Sequence, residues 1–479
     1  MMKIKKMISF LLLILISVLV GCKEKENTLV LRIYNWQDYI EDGKDDEGNK
    51  VSNSVIEDWI LDYKERTGKI VTVVYDTFET CEIMLNNIKT GKTTYDLACP
   101  SEYMIQKMIR ENMVEKYDFD KKLLNVPNFN EYGSPYIQKI FKESNLSEYA
   151  VPYMWGTLGL IYNPELVDEE DVKSWSIMWN EKYKNMASAK DSVRDTYVVG
   201  VMYLNQEKLL MIKSQFDSGI ITEEEYNRMI SSIMNDTSDI DGVEKVLKEM
   251  KKNIFGFEVD NGKNDIVTGK IAINVAWSGD AVYSMDVAEE EEEVYLNYSV
   301  PEEGSNIWFD GWIMPKGANK ELAQDFVNFL CIPEIAARNM DYIGYSTSIA
   351  GDDVFNLVKE WYEVGADEEG EYADLTYFFG DTISEESKID GKALVKVNER
   401  GRQFDAQFPS EEIINRCAVM EDFKEQNDAV LAMWENVKLG DFSIWITVLV
   451  VVCVVVIIGG IYYLKLLKEN RKKKKKLNW

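Results

Sequence analysis

The order of elements after residue 28 constrains the fold more than any other feature of the sequence. Leu29–Tyr34 is an apolar run of strand length. Ser54-Val55-Ile56-Glu57 has the spacing of a capping box and opens an amphipathic helix to Thr67, with Gly68 as its stop. Ile70–Tyr75 is β-branched and strand-like, Glu79–Thr90 reads as a helix ending at Gly91, and Tyr95–Ala98 as a short strand. Ser101 is placed to cap a further helix. This β-α-β-α-β order predicts an α/β fold with a largely parallel sheet. Such sheets hold ligands in crevices at the carboxyl ends of their strands. Asn35–Tyr39 and Pro100–Tyr103 both follow strands and so fall at such a crevice.

Composition narrows the chemistry. The 479 residues supply two to four domains' worth of chain, and they include no histidine. That excludes Ser-His-Asp and Cys-His nucleophiles and any His-ligated zinc. A net charge of −29 argues against nucleic-acid binding, which needs a basic surface. The ends contribute +3 (residues 1–22) and +7 (442–479), so the body, 23–441, carries −39. Such a body attracts cations in a salt-dependent way. No GxGxxG opens a helix after the first strand, there is no P-loop, and no acidic run has EF-hand spacing. No cofactor and no metal are expected. The acidic runs Glu41–Glu47, Glu289–Glu293 and Asp367–Asp374 read as solvated loops or insertions.

Both ends read as membrane signals. Lys3, Lys5 and Lys6 precede the apolar run Ile8–Val20, which ends in Leu19-Val20-Gly21-Cys22. This looks like a bacterial lipobox, which makes 1–21 a lipoprotein signal peptide and Cys22 the lipidated residue. Phe442–Leu464 is uncharged, long enough to cross a hydrocarbon core, and followed by a basic tail, 465–479, that the positive-inside rule places in the cytoplasm. The expected location is the cell (inner) membrane, with the chain lipid-anchored at Cys22, spanning at its C-terminus, and the binding domain on the periplasmic or extracellular side. Cys81, Cys99, Cys331 and Cys417 lie far apart without CxxC spacing and are expected to be mostly free, buried thiols.

Aromatic residues recur beside carboxylates: Tyr34–Tyr39 (YNWQDY), Ser101-Glu102-Tyr103, Trp277-Ser278-Gly279-Asp280 and Trp308-Phe309-Asp310. Ring faces attract ammonium groups, worth about 0.5–2 kcal/mol each. A buried ammonium also needs a carboxylate, because losing its water costs several kcal/mol. Aromatic walls with isolated acids therefore suit a flexible alkyl amine. Paired carboxylates also serve glycoside hydrolysis, and composition leaves that open.

At these segments, joined by Asp96–Tyr103 (DLACPSEY), Val151–Asn163 (VPYMWGTLGLIYN), Ser174–Tyr183 (SWSIMWNEKY), Ala276–Ala281 (AWSGDA) and Tyr342–Thr347 (YIGYST), the body resembles the bacterial spermidine/putrescine-binding proteins of polyamine ABC transporters. The resemblance covers roughly 29–347, with a weaker tail to about 438. It implies a two-lobed, type II periplasmic-binding-protein-like α/β fold, with lobe 1 at 28–151 and 311–346 and lobe 2 at 152–310 and 347–440. The chain would cross between the lobes near Pro152, Asp310 and Ser346. It implies a pocket of Trp36, Tyr39, Ser101, Tyr103, Asp195, Trp277, Asp280, Trp308, Asp310 and Tyr345. The implied function is a non-enzymatic receptor that captures putrescine or spermidine and delivers it to ABC permease subunits. Ser192 stands where the spermidine-type pattern has a second Asp, and Asp280 matches the putrescine-preferring branch. Insertions at about 41–53, 205–250 and 351–405 have no counterpart in the family. The alternatives are the same fold with another cationic solute or iron, or a surface lipoprotein or carbohydrate-active enzyme.

Overall fold

The computed structural model describes residues 28–439 except 46, 92 and 118–125, together with 452, 459, 460 and 465. Its centre is a pair of long antiparallel strands, β4 (Ala150–Tyr162) and β9 (Ser305–Ile313), in which every residue is buried. The near-continuous apolar run of β4 suits a strand covered on both faces. β4 and β9 pair from Ala150–Ile313 to Thr157–Ile307, with a register shift between Pro152 and Trp155.

On one side of this pair lie β1 (Leu29–Trp36), β2 (Val71–Phe78) and β3 (Leu97–Ala98), with β1 parallel to both others. On the other lie β5 (Ala187–Lys190), β6 (Gly256–Glu258), β7 (Ile273–Trp277) and β8 (Asn297–Ser299). The resulting order is β2-β1-β3-β9-β4-β7-β5-β6. β10 (Ser346–Thr347) pairs with β4. β11 (Glu371–Asp374) and β12 (Leu394–Val397) form a separate hairpin, and β13 (Cys417–Ala418) pairs with β9. Two apolar cores result. β4 feeds Trp155 to one and Leu158 and Leu160 to the other, so the sheet runs through two lobes.

The first helix forms where its caps predict. It spans Val55–Thr67, Ser54 and Glu57 make the reciprocal capping box, and Gly68 closes it in the left-handed region. The next spans Cys81–Thr90, capped by Thr80 and ended by Gly91. The acidic runs are mostly exposed, as expected, but two of their members are tied into the fold. Glu41 accepts from the Val55 amide and pairs with Arg338, and Glu289 lies in the helix Ser278–Glu292 and pairs with Arg402. The 205–250 insertion forms three helices, of which Ile240–Asn253 packs on Val193–Leu204 and Asn427–Leu439. Cys81, Cys99, Cys331 and Cys417 are free and buried, as expected.

One part of the expected fold class is corrected. No helix among the described residues is long and apolar enough to cross a membrane. The longest of them, Ser278–Glu292, has 15 residues and carries several acids. It spans only about 22 Å against a hydrocarbon core of roughly 30 Å. Among the described residues the fold is therefore the two-lobed α/β one, and the expected C-terminal transmembrane helix is not found in them. Nearly all of 442–464, the basic tail beyond Lys465, the expected signal peptide 1–21 and Cys22 lie outside the described residues.

Candidate functional site

Asp310 sits near the end of β9 and is 6% exposed. Its carboxylate accepts from Tyr39 Oη at 2.8 Å and from Ser101 Oγ at 2.8 Å. Ser101 occupies the N-cap position of the helix Glu102–Arg110 but makes no side-chain cap bond, its hydroxyl being committed to Asp310. Burial pushes the Asp310 carboxyl up to about 7; the Ser101 and Tyr39 hydrogen bonds oppose this, and Asp195 adds to it. Asp195, in the first turn of Val193–Leu204, accepts from Ser192 Oγ at 2.6 Å and from Asn306 Nδ2 at 3.4 Å. Burial also raises its pKa, against hydrogen bonds from Ser192 and Trp277 and the charge of Lys190. Neither Asp195 nor Asp310 has an ion-pair partner among the described residues.

Aromatic rings stand against these acids. Tyr345 meets Tyr39 at 5.8 Å and Trp308 at 5.3 Å between ring centroids, both edge to face. The Tyr345 hydroxyl donates to Asp280 Oδ1 at 2.8 Å. Two glycines allow this approach. A Cβ on Gly279 would stand 1.1 Å from Tyr345 Cδ1, and one on Gly156 would stand 2.7 Å from Trp308 Cζ2. Trp308 Nε1 donates to the Thr157 carbonyl at 3.4 Å. One chain of contacts thus joins Ser101, Asp310, Tyr39, Tyr345, Trp308 and Asp280.

The remaining expected residues stand around this group. Trp277 ends β7, and Tyr103 donates to Glu82 at 3.2 Å and stacks under Arg194. Trp36 packs on Phe78 at 4.4 Å between ring centroids, and its indole N–H is buried without a partner. Sequence reasoning missed two groups here. Lys190, fully buried, lies 3.0 Å from Asp280 and 4.5 Å over the Trp277 ring. Glu102 is also fully buried; one carboxylate oxygen accepts from the Phe309 amide and the other has no partner. Burial pushes Glu102 up to about 8. The signal available for Lys190 was its place at the end of a short apolar strand, Ala187–Lys190, just before Asp191. Glu102 lay inside a quoted motif, but nothing local marked its side chain as inward. A separate groove of about 750 Å³, lined by Gln106, Arg110, Tyr136, Ser231 and Glu411, includes none of the ten expected residues.

Two lobes on one sheet, with rings and acids gathered where the strands cross, define a receptor built to enclose a small solute. Residues 58–354 match the family described as bacterial extracellular solute-binding protein, and the chain belongs to that family. It is 28% identical over 319 residues to the spermidine/putrescine-binding periplasmic protein of Salmonella typhimurium, covering 66% of this chain and 77% of that one. It is 26% identical over 346 residues to the putrescine-binding periplasmic protein PotF of Escherichia coli, covering 70% and 81%. The crystal structure of the spermidine/putrescine ABC transporter substrate-binding protein PotD from Streptococcus pneumoniae superposes with a TM-score of 0.54 at 27% identity, covering 86% of this chain and 99% of that one. The relatives are named as periplasmic proteins, and no described helix crosses a membrane. Both findings correct the expected location, a chain held in the cell membrane at Cys22 and at its C-terminus.

Proposed function

We propose that this protein is a receptor that captures a polyamine, putrescine or spermidine, between its lobes and delivers it to an ABC permease. The observation that carries the reading is Asp310. It is a carboxyl group buried where β9 meets β3 and β4, raised by burial and by Asp195, held only by hydroxyls, and surrounded by Tyr39, Tyr345 and Trp308. Such a group is unfavourable when ionised and becomes favourable when an ammonium arrives with it. The names of the relatives support the same ligand class. In this reading Asp310 and Asp195 meet ammonium groups, and Trp36, Tyr39, Ser101, Tyr103, Trp277, Asp280, Trp308 and Tyr345 form the wall. The lobes are those implied by the resemblance, 28–151 with 311–346 and 152–310 with 347–440. The ligand biases the closed form by touching both lobes at once. No bond is made or broken. The tyrosine hydroxyls of the site each donate to a carboxylate, which favours an amine over iron bound by tyrosinate.

The test is calorimetric titration with putrescine, spermidine, spermine, cadaverine and several amino acids at physiological salt. Saturable one-to-one binding of a polyamine is expected. Weak heats for every polycation that vanish with added salt would mean counterion attraction by an acidic surface, and the reading would fall.

A further inference from the structure

Lys190 is the one lysine of the described chain whose side chain is fully buried, and its surroundings are those of a bound amine. Its Nζ lies 3.0 Å from Asp280 Oδ2, 3.2 Å from Glu258 Oε1 and 3.0 Å from the Val259 carbonyl, and 4.5 Å over the Trp277 ring. Burial alone would favour its neutral form; Asp280 and Glu258 more than reverse this and keep the ammonium charged. Lys263 lies 3.5 Å from the other Asp280 oxygen, which also accepts from Tyr345. Burial would raise Asp280, but the charges of Lys190 and Lys263 hold it below the usual carboxylate range.

Counting charges separates two halves of the site. Asp280 and Glu258 are balanced by Lys190 and Lys263. Among the described residues neither Asp195 nor Asp310 has a cation at ion-pair distance; Lys190 and Arg194 act on Asp195 only from farther off. Glu102, pushed up to about 8 by burial, favours its neutral form. Trp277 is shared by both halves. Its indole helps hold the Asp195 carboxyl down, and its face covers Lys190.

We propose that Lys190 is an internal ammonium that occupies Asp280, so that the cleft offers a ligand two acids, Asp310 and Asp195, and selects a diamine over a triamine. This rests on the polyamine reading above. A third ligand ammonium would meet a carboxylate already paired and the repulsion of Lys190 itself. Shortening Lys190 frees Asp280 Oδ2 and the space beneath Trp277, while Lys263 and Tyr345 remain on Oδ1.

The experiment compares the ratio of putrescine to spermidine affinity in the wild type and in Lys190→Ala by calorimetric titration. The wild type is expected to prefer putrescine, and the ratio to move at least tenfold toward spermidine in the variant. A purely structural role would weaken both ligands alike. A wild-type preference for spermidine, or a shift below tenfold in the variant, overturns the inference while leaving the polyamine reading standing. If the wild type binds no polyamine, both fall. Should Lys190→Ala not fold, Lys190→Ala/Glu258→Gln, which strands one carboxylate fewer, carries the same comparison.

Discussion

Asp310 ties binding to pH. Its carboxyl, raised to about 7, holds a proton in mildly acid solution, and an ammonium ligand must displace it. Affinity should therefore fall below pH 7 by up to about tenfold per unit. Titrations at pH 7.5 and 5.5 should differ by roughly 10–30-fold, and a flat profile would place the ammonium elsewhere. The same group lowers stability when no ligand is present. Below about pH 4 it is protonated in folded and unfolded chains alike. Between pH 4 and 7 the unfolded chain loses the proton and the folded chain keeps it, so folding loses stability as pH rises through that window, on the order of 2–4 kcal/mol. Asp310→Asn should then unfold at higher urea than the wild type at pH 7.5 while losing polyamine affinity on the order of 100-fold or more. A lower midpoint in the variant would contradict this account. Asp310 was legible because it follows an apolar run and a tryptophan. Asp195 was not legible from the residues around it; only the resemblance pointed there, because a helix-starting acid is indistinguishable from a surface one until β9 covers it. Lys190 was missed for a related reason. A lysine at a strand end reads as solvated, and only Glu258 and Asp280, both distant in sequence, make its burial favourable.

At the scale of elements, local signals served best where the physics is local. The capping box at Ser54 and the glycine stops at Gly68 and Gly91 satisfy orphan backbone groups within a few residues, so they fix helix ends without tertiary help. The strand expected over Tyr95–Ala98 shortens to Leu97–Ala98, where pairing with β1 and β9 defines it. The run Glu289–Glu293, expected as a loop, instead finishes a helix, because Arg402 lies against Glu289 and no local pattern announces that partner. The start of the same helix makes a prediction. Gly279 gives Tyr345 its seat, so Gly279→Ala should displace the ring and break its bond to Asp280. Polyamine affinity should fall about tenfold or more, with far-ultraviolet circular dichroism unchanged because alanine favours the helix. Wild-type affinity in this variant would show that the ring does not need that seat.

The whole molecule is organised by β4 and β9, which run through both lobes and carry Gly156, Thr157, Trp308 and Asp310 where the two cores meet. A ligand held there should shift the population toward the shut form. Small-angle scattering should show a smaller radius of gyration with saturating polyamine than without, and an unchanged radius would argue against closure. The α/β class was readable from alternating strands and helices, whereas the two lobes were implied only by the family resemblance. The packing of the 205–250 helices was not, since an amphipathic face does not say which neighbour covers it. Across the centre, the ring of Tyr345 occupies the place a side chain would take at Gly279, 66 residues away in sequence. The two positions are therefore not free to drift separately. Among relatives that share this architecture, a side chain at the first position should occur only beside a smaller residue at the second, and an alignment deep enough to count such pairs would record the contact as covariation.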